Sequence, residues 1–576
     1  MYTDVMTEIA RLKAGRIHVA RAGLATQARL CVDMLQQGRG MAWVVKNRDE
    51  LLTARALMRL FSPELSSGDF LPDAFDKGGW TSLPPFSPRS ANREGWTERL
   101  AALYALRSGQ AKGLILTADN LLPKLVPLDF FENREVTLIR GEDVSLDMIL
   151  EQAVEWGYER VSMVSNPGEI ARRGDILDIM PPGYDKPIRL DFFGDLIEEI
   201  RLFDPVSQRS KANLSEVRVL PVSPIRQSPA DQAKMQARWK SLFQKNMLTE
   251  NERFGLTRLQ EQGDFRLLPG CCYDTATNLE AWLPADTVWV LPGLSDFRDM
   301  LSSAERLWTE AFEAQDVEGR PQPQRLAMRE ASDVESACER FACVHAEPLV
   351  MGIAKGIHDL PERSLSSFED LFPSTAEQDR PWQTLVQALK RWQNDKRQTI
   401  LCFASEKSRT KFLNLASQDG LSPLLRYSGE QHGLFALVAP FRAGAELIWD
   451  QSLILGEDLL QPHAEKSRRV PTGAFKGLDR YDELKPGDLL VHRDYGIARF
   501  GGLLRMETGS TANDFLLLHY SGDDRLYVPV DRLSLIQRFK GGGEAQPSLD
   551  RLGGGAWQTG KEKARKAIEK IAEDLI

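Results

Sequence analysis

Several chemical signatures are scarce in this chain or missing from it. It holds seven histidines and six cysteines among 576 residues, and no Ser/His/Asp or Cys/His arrangement can be read from their spacing. Cys271 and Cys272 are adjacent, and neither Cys338 nor Cys343 has a C-x-x-C partner. That spacing argues against a zinc site or a disulfide framework and for buried thiols in a reducing cytoplasm. No run approaches the roughly 18 apolar residues of a membrane helix. The segment from Met1 to Gly15 lacks the apolar core of a secretory signal. Positive charge is also short: 73 Lys and Arg against 82 Asp and Glu leave a formal net charge of −9. Nucleic-acid affinity depends on neutralising phosphates, so the chain as a whole is a poor DNA binder, although a local basic patch remains open.

A nucleotide-hydrolysing motor needs G-x-x-x-x-G-K-[ST], in which loop amides cradle phosphate, the lysine neutralises it and the hydroxyl holds Mg²⁺. The nearest match is Gly555 to Gly560 followed by Lys561 and Glu562. Glu562 would set a like charge against phosphate, and no apolar strand leads into Gly555, so this is read as a turn and a helix start. A better-placed loop is Arg21–Gln27, between the strand-like Ile17–Ala20 and a helix from Thr26. It offers Gly23 and Thr26 but no lysine, and so has the architecture of a phosphate loop without its chemistry. The buried strand Gly113–Thr117 is followed by Ala118, Asp119 and Asn120 instead of the acidic pair that holds Mg²⁺. Asp119 is expected to be a helix N-cap.

Periodicity predicts several domains, at a prior of about 150 residues each. Residues 1–125 alternate strand and helix, which implies a parallel sheet covered on both faces. Residues 126–224 are expected to be an inserted α+β module, with a helix over Asp143–Trp156 and strands at Arg172–Pro181, Ile188–Phe193 and Leu196–Phe203. Gly194 and Asp195 suit the tight turn between the last two. Residues 225–325 return to the first domain, and 326–456 form a second α/β domain of unassigned role. Residues 457–481 read as a linker. Residues 482–545 carry short strands at Gly487–His492, Ile497–Met506, Phe515–Tyr520 and Leu526–Val530, the rhythm of a small SH3- or Tudor-like β-barrel. An amphipathic helix over Lys561–Ile576, with no terminator, is expected to continue into a longer protein.

Two stretches carry a resemblance. Arg172-Arg-Gly-Asp-Ile-Leu-Asp-Ile179, Ile188-Arg-Leu-Asp-Phe-Phe-Gly-Asp195 and Phe203-Asp-Pro205 resemble the damage-handling protein UvrB in the module that contacts UvrA. Leu484-Lys-Pro-Gly-Asp488, Val491-His-Arg-Asp-Tyr-Gly496, Leu526-Tyr-Val-Pro-Val530, Leu552-Gly-Gly554 and Trp557 look like the RNA polymerase-interacting domain of the transcription-repair coupling factors, which is similar to CarD regulators. Both stretches in this order identify that family. The resemblance implies a multidomain α/β and α+β protein, in which a degenerate RecA- and UvrB-like α/β domain carries the inserted module. It also implies a recruiting role in transcription-coupled nucleotide excision repair, with UvrA and the β subunit of RNA polymerase as partners. The family's double-stranded-DNA translocase, with its ATP and Mg²⁺, and a C-terminal domain that masks the UvrA-binding face are expected to lie outside these 576 residues. No catalytic residue, cofactor or metal is therefore expected here.

Three residues carry over to UvrA binding: Arg173, Arg189 and Phe193. Period two puts Ile188, Leu190 and Phe192 on the core face of their strand and Arg189, Asp191 and Phe193 on the other. Arg and aromatic residues are enriched at interface hot spots. The alternative packs Phe193 under a loop and pairs Arg189 with Asp191 or a cross-strand acid; the residue pattern alone favours it, and the resemblance favours the interface. Between Glu483 and Glu544, eight Lys and Arg face nine Asp and Glu, a balance suited to a protein partner. There the resemblance implies that Leu504, Arg505 and Met506 lie on an exposed edge strand that pairs with the polymerase. An ordinary barrel strand with Met506 inward is the other possibility. Two further functions stay open: an active UvrB-like helicase, and a CarD-like regulator without a motor.

Overall fold

The computed structural model describes residues 2–61, 79–87, 91–205, 209–347, 357–374, 379–427, 432–460, 487–492, 496–508, 511–521, 524–529, 536–538 and 549. The linker beyond residue 460, the Gly555–Glu562 turn and the Lys561–Ile576 helix lie outside them. The chain divides into two compact units, Met1–His463 and Ala464–Ile576.

The first unit is organised by a seven-stranded sheet. Its order is Ile357–Asp359, Gly15–Ala20, Ala342–Glu347, Val288–Pro292, Met41–Val45, Gly113–Thr117 and Trp80–Leu83. Every pairing in it is parallel. Alternation splits the continuous apolar runs between two cores. Ala42, Val44, Trp289 and Leu291 face one side with the helical region Pro229–Cys338. Met41, Trp43, Val45, Val288 and Val290 face the other. Fully burying each such aliphatic side chain contributes about 1.5–3 kcal/mol, so both faces have to be covered, and they are.

The second core is shared. Helices Tyr2–Arg11, Leu24–Gln36 and Arg48–Phe61 pack there together with Ile400, Cys402, Phe435, Leu437 and Ile454 of a second sheet. That five-stranded mixed sheet runs in the order Glu362–Leu365, Gly444–Leu447, Ser452–Gly456, Gln398–Phe403 and Leu434–Val438. Its opposite face, including Leu401, Phe403, Leu453 and Leu455, closes on Pro381–Asn394 and Glu406–Gln418. The α/β character expected for 326–456 is present, but this region has no core of its own on the near side. Ala342–Glu347 and Ile357–Asp359, placed by the sequence reading in the second α/β domain, complete the first sheet instead. Glu457–Leu459 forms a helical turn whose Leu459 joins the second sheet's core, so the first residues assigned to the linker are part of this unit.

The inserted module is a six-stranded sheet ordered Ser210–Leu214, Leu196–Phe203, Ile188–Phe193, Ile176–Ile179, Glu169–Arg173 and Glu159–Arg160. Leu146–Glu155 covers one face of it. The single strand expected over Arg172–Pro181 is in fact an antiparallel hairpin that pairs Arg173 with Ile176. It turns at Gly174, whose φ of 62° is one that glycine adopts without strain.

In the second unit, five antiparallel strands are ordered Arg525–Pro529, Thr511–His519, Gly496–Thr508, Leu489–His492 and Ile536–Arg538. Among the described residues no pairing joins the two outer strands.

Candidate functional site

The outer face of the module sheet carries the residues singled out for UvrA contact. Burial along Ile188–Phe193 alternates as expected: Ile188, Leu190 and Phe192 are buried, while Arg189 and Asp191 are half-buried. Phe193 is 74% exposed, so no loop covers it. Cross-strand partners share a face, which places Arg173, Asp178, Arg189, Asp191, Arg201 and Phe193 together. The turns at Gly174–Asp175 and Gly194–Asp195 lie at the same end of the sheet, because Ile176 pairs with Asp191 and Phe193 with Leu196. Arg173 and Phe193 therefore sit at one end, with a single strand between theirs.

The two arginines differ. Arg173 is exposed and donates to the Ser162 carbonyl at 2.7 and 3.2 Å. Arg189 makes a two-pronged ion pair with Asp178, with both contacts at 2.7 Å, and its guanidinium lies 4.5 Å from the centre of the Phe203 ring. Asp178 is 1% exposed. Hydrogen bonding to Asp178 raises the Arg189 pKa, although burial opposes the rise. Asp191 is held in turn by Arg201. Most of this face is thus a self-paired charge ladder, and Arg173 and Phe193 are its accessible end.

In the second unit the Ile497–Met506 segment belongs to the strand Gly496–Thr508, which is third of five in the sheet and so is not an edge strand over its whole length. Gly496–Arg499 pairs with Leu489–His492, and Arg499–Thr508 pairs with Thr511–His519. Leu504, Arg505 and Met506 pair on one side with Phe515, Asp514 and Asn513. Their other side has no strand among the described residues. Their side chains lie outside the described residues, and so does the question of whether Met506 points inward. The outermost strands are Arg525–Pro529, with Tyr527 exposed, and Ile536–Arg538.

The loop Arg21–Gln27 has the expected strand–loop–helix geometry, with Gly23 as N-cap of the helix Leu24–Gln36. Its amides are occupied from within the chain. The carboxylate of Glu362 accepts from Thr26 N at 2.7 Å and from Ala25 N at 3.2 Å. Burial lifts the Glu362 pKa above its ordinary value, and the Thr26 and Ala25 amides pull against that lift. Trp449 Nε1 donates to Thr26 Oγ1 at 3.0 Å. No sequence signal pointed to Glu362 or Trp449, each more than 300 residues away.

After Gly113–Thr117 the N-cap position of the short helical turn is held by Thr117, not by Asp119 as expected. Asp119 lies inside the turn and accepts from the Phe86 amide, and burial raises its pKa. Asn120 donates to Thr117 Oγ1 at 2.9 Å and accepts from the buried Arg99, whose own pKa burial lowers to about 10. The one acid of residues 117–120 is thus committed to holding Phe86, beside a guanidinium. All six cysteines are free and buried; burial pushes the Cys271 and Cys343 thiols up to about 12. No helix among the described residues is long and apolar enough to cross a membrane.

These two units define a multidomain chain in which an α/β framework carries one inserted α+β module and a separate β-sheet unit follows in sequence. Residues 136–224 match the UvrB interaction domain, and residues 484–540 match the CarD-like/TRCF RID domain. The resemblance to the transcription-repair coupling factors therefore holds in both domains. The chain is 29% identical over 542 residues to the transcription-repair-coupling factor of Myxococcus xanthus, covering 85% of this chain and 43% of that protein. It is 28% identical to those of Escherichia coli strain K12, over 86% of this chain and 43% of the relative, and Haemophilus influenzae, over 91% and 45%. The chain thus spans less than half the length of these curated relatives.

Proposed function

We propose that this chain is a recruiting scaffold of transcription-coupled nucleotide excision repair, which binds UvrA through residues 136–224 and the β subunit of RNA polymerase through residues 484–540. The observation that carries this reading is the presence of both matched domains in one chain. It is supported by an exposed aromatic, Phe193, at the accessible end of an otherwise self-paired sheet face. Exposed aromatics beside arginine are the side chains that anchor protein interfaces. UvrA contact is assigned to Arg173 and Phe193 directly and to Arg189 through its hold on Asp178. Polymerase contact is assigned to the side of Leu504, Arg505 and Met506 that has no strand among the described residues.

The chain itself acts without turnover. Glu362 on the helix amides and the lysine-free loop support that reading over a UvrB-like helicase. In the whole protein, DNA translocation, ATP and Mg²⁺ belong to a motor outside these residues, and the setting is the bacterial cytoplasm. Purified chain immobilised on a sensor should bind UvrA and polymerase separately. Absence of binding to both, with folding intact, would contradict the proposal.

A further inference from the structure

We infer that the Glu362 carboxylate is a built-in anion standing where a phosphate loop would hold phosphate, and that it fastens the second α/β layer to the inactive loop. This does not depend on the recruiting role proposed above, and it gives residues 357–456 a function that the sequence left unassigned.

The first amides of a helix have no partner within the helix, and they carry the positive end of its dipole. Such an end is filled by a cap or by an anion. Here the N-cap is Gly23, which has no side chain to supply. The anion comes from Glu362, at the point where the chain leaves the first sheet and begins the second. Ile357–Asp359 pairs with Gly15–Ala20 as the first sheet's outer strand. The chain then continues along the loop: Leu360 N donates to Ala20 O and Glu362 N to Arg21 O, both at 3.0 Å. Arg21 fastens the same segment from outside through a two-pronged contact with Asp359. From Glu362 onward the chain is the first strand of the second sheet.

Two further details fit. Gly23 has φ −75° and ψ −174°, a conformation open to any residue, so its backbone does not explain the glycine. A Cβ built there overlaps the Glu362 carboxylate, which does explain it. The Thr26 hydroxyl accepts from Trp449 of the second layer. Trp449 also stacks on Tyr2 with ring centroids 4.3 Å apart. Glu362 and Trp449, both from the second layer, thus converge on one helix start. A nucleotide phosphate could reach the Ala25 and Thr26 amides only by displacing Glu362.

The test is a comparison of thermal unfolding midpoints of the whole chain, titrated with inorganic phosphate against chloride at constant ionic strength and neutral pH. The wild type should be insensitive to phosphate. Glu362→Ala should melt several degrees lower and recover with phosphate, because the vacated amides can bind it. Gly23→Ala should lower the midpoint in the wild type and be nearly neutral in the Glu362→Ala background. If Glu362→Ala yields no folded protein, Glu362→Gln keeps the volume without the charge, and its midpoint should still fall below wild type. A phosphate-insensitive Glu362→Ala, an equal cost of Gly23→Ala in both backgrounds, or a Glu362→Gln as stable as wild type would each overturn the inference.

Discussion

Arg189 and Asp178 face each other across adjacent antiparallel strands, joined by two contacts of 2.7 Å over an aspartate that is 1% exposed. This pair separates what holds the module together from what the module offers to a partner. Removing one member of a buried pair strands the other charge, at a cost of about 3–5 kcal/mol. Arg189→Ala is therefore expected to destabilise the module and to weaken UvrA binding as a consequence. Chemical denaturation of the Arg189→Ala chain, followed by hydrogen exchange of the strands Ile176–Ile179 and Ile188–Phe193, checks this. An Arg189→Ala chain as stable as wild type would show that Asp178 finds another partner.

Phe193 should behave in the opposite way. At 74% exposure its truncation removes almost no buried area from the folded chain. Phe193→Ala is expected to leave the unfolding midpoint unchanged and to weaken UvrA binding by about 1–3 kcal/mol, the range of a hot spot. Arg173→Ala should do the same to a lesser degree, because the side chain is exposed and held by the surface carbonyl of Ser162. Titration calorimetry against UvrA distinguishes these from Arg189→Ala.

In the second unit the side of Leu504–Met506 that has no strand among the described residues is the expected docking line. A charge placed in a strand-addition seam is buried without a partner. Leu504→Arg and Met506→Arg are expected to abolish polymerase binding and leave UvrA binding intact. Because the sheet order puts Arg525–Pro529 at an outer position, Tyr527→Arg is the control. If it alone abolishes binding, the contact strand is Arg525–Pro529.

Acid should loosen the second α/β layer through Glu446. Burial alone would raise its pKa, but Arg397 and Arg363 more than offset this and hold the carboxyl below its ordinary value. A depressed folded-state pKa stabilises the fold above the unfolded value, about 4.3, and that contribution is lost as pH falls through the folded value. The difference in unfolding midpoint between wild type and Glu446→Gln should therefore shrink as pH falls from neutral through the carboxylate range. A constant difference would mean that the pairing adds nothing.

Local patterning made part of this protein legible. Period two assigned the faces of Ile188–Phe193 correctly, because one side of that strand is packed and the other wet. It located Gly113–Thr117 to the residue, because buried parallel strands are continuous apolar runs. It missed the Gly174 turn, where the polar residues on both sides, Arg172 to Asp175, give no alternation to interrupt. Sheet membership was also out of reach. Ala342–Glu347 reads as a strand wherever it lies, and only tertiary packing puts it beside Gly15–Ala20. The same holds for Glu362: a single glutamate carries no local sign that it will cap a helix 336 positions away in the chain.

The recruiting role is tested most directly by one capture experiment. RNA polymerase is immobilised, and UvrA is added with the wild-type chain, with the Arg173→Ala/Phe193→Ala chain, or alone. UvrA should be retained with the wild-type chain only, while both versions of the chain stay on the polymerase in equal amounts. Retention of UvrA at wild-type level by the double variant, or no retention by either, would contradict the account.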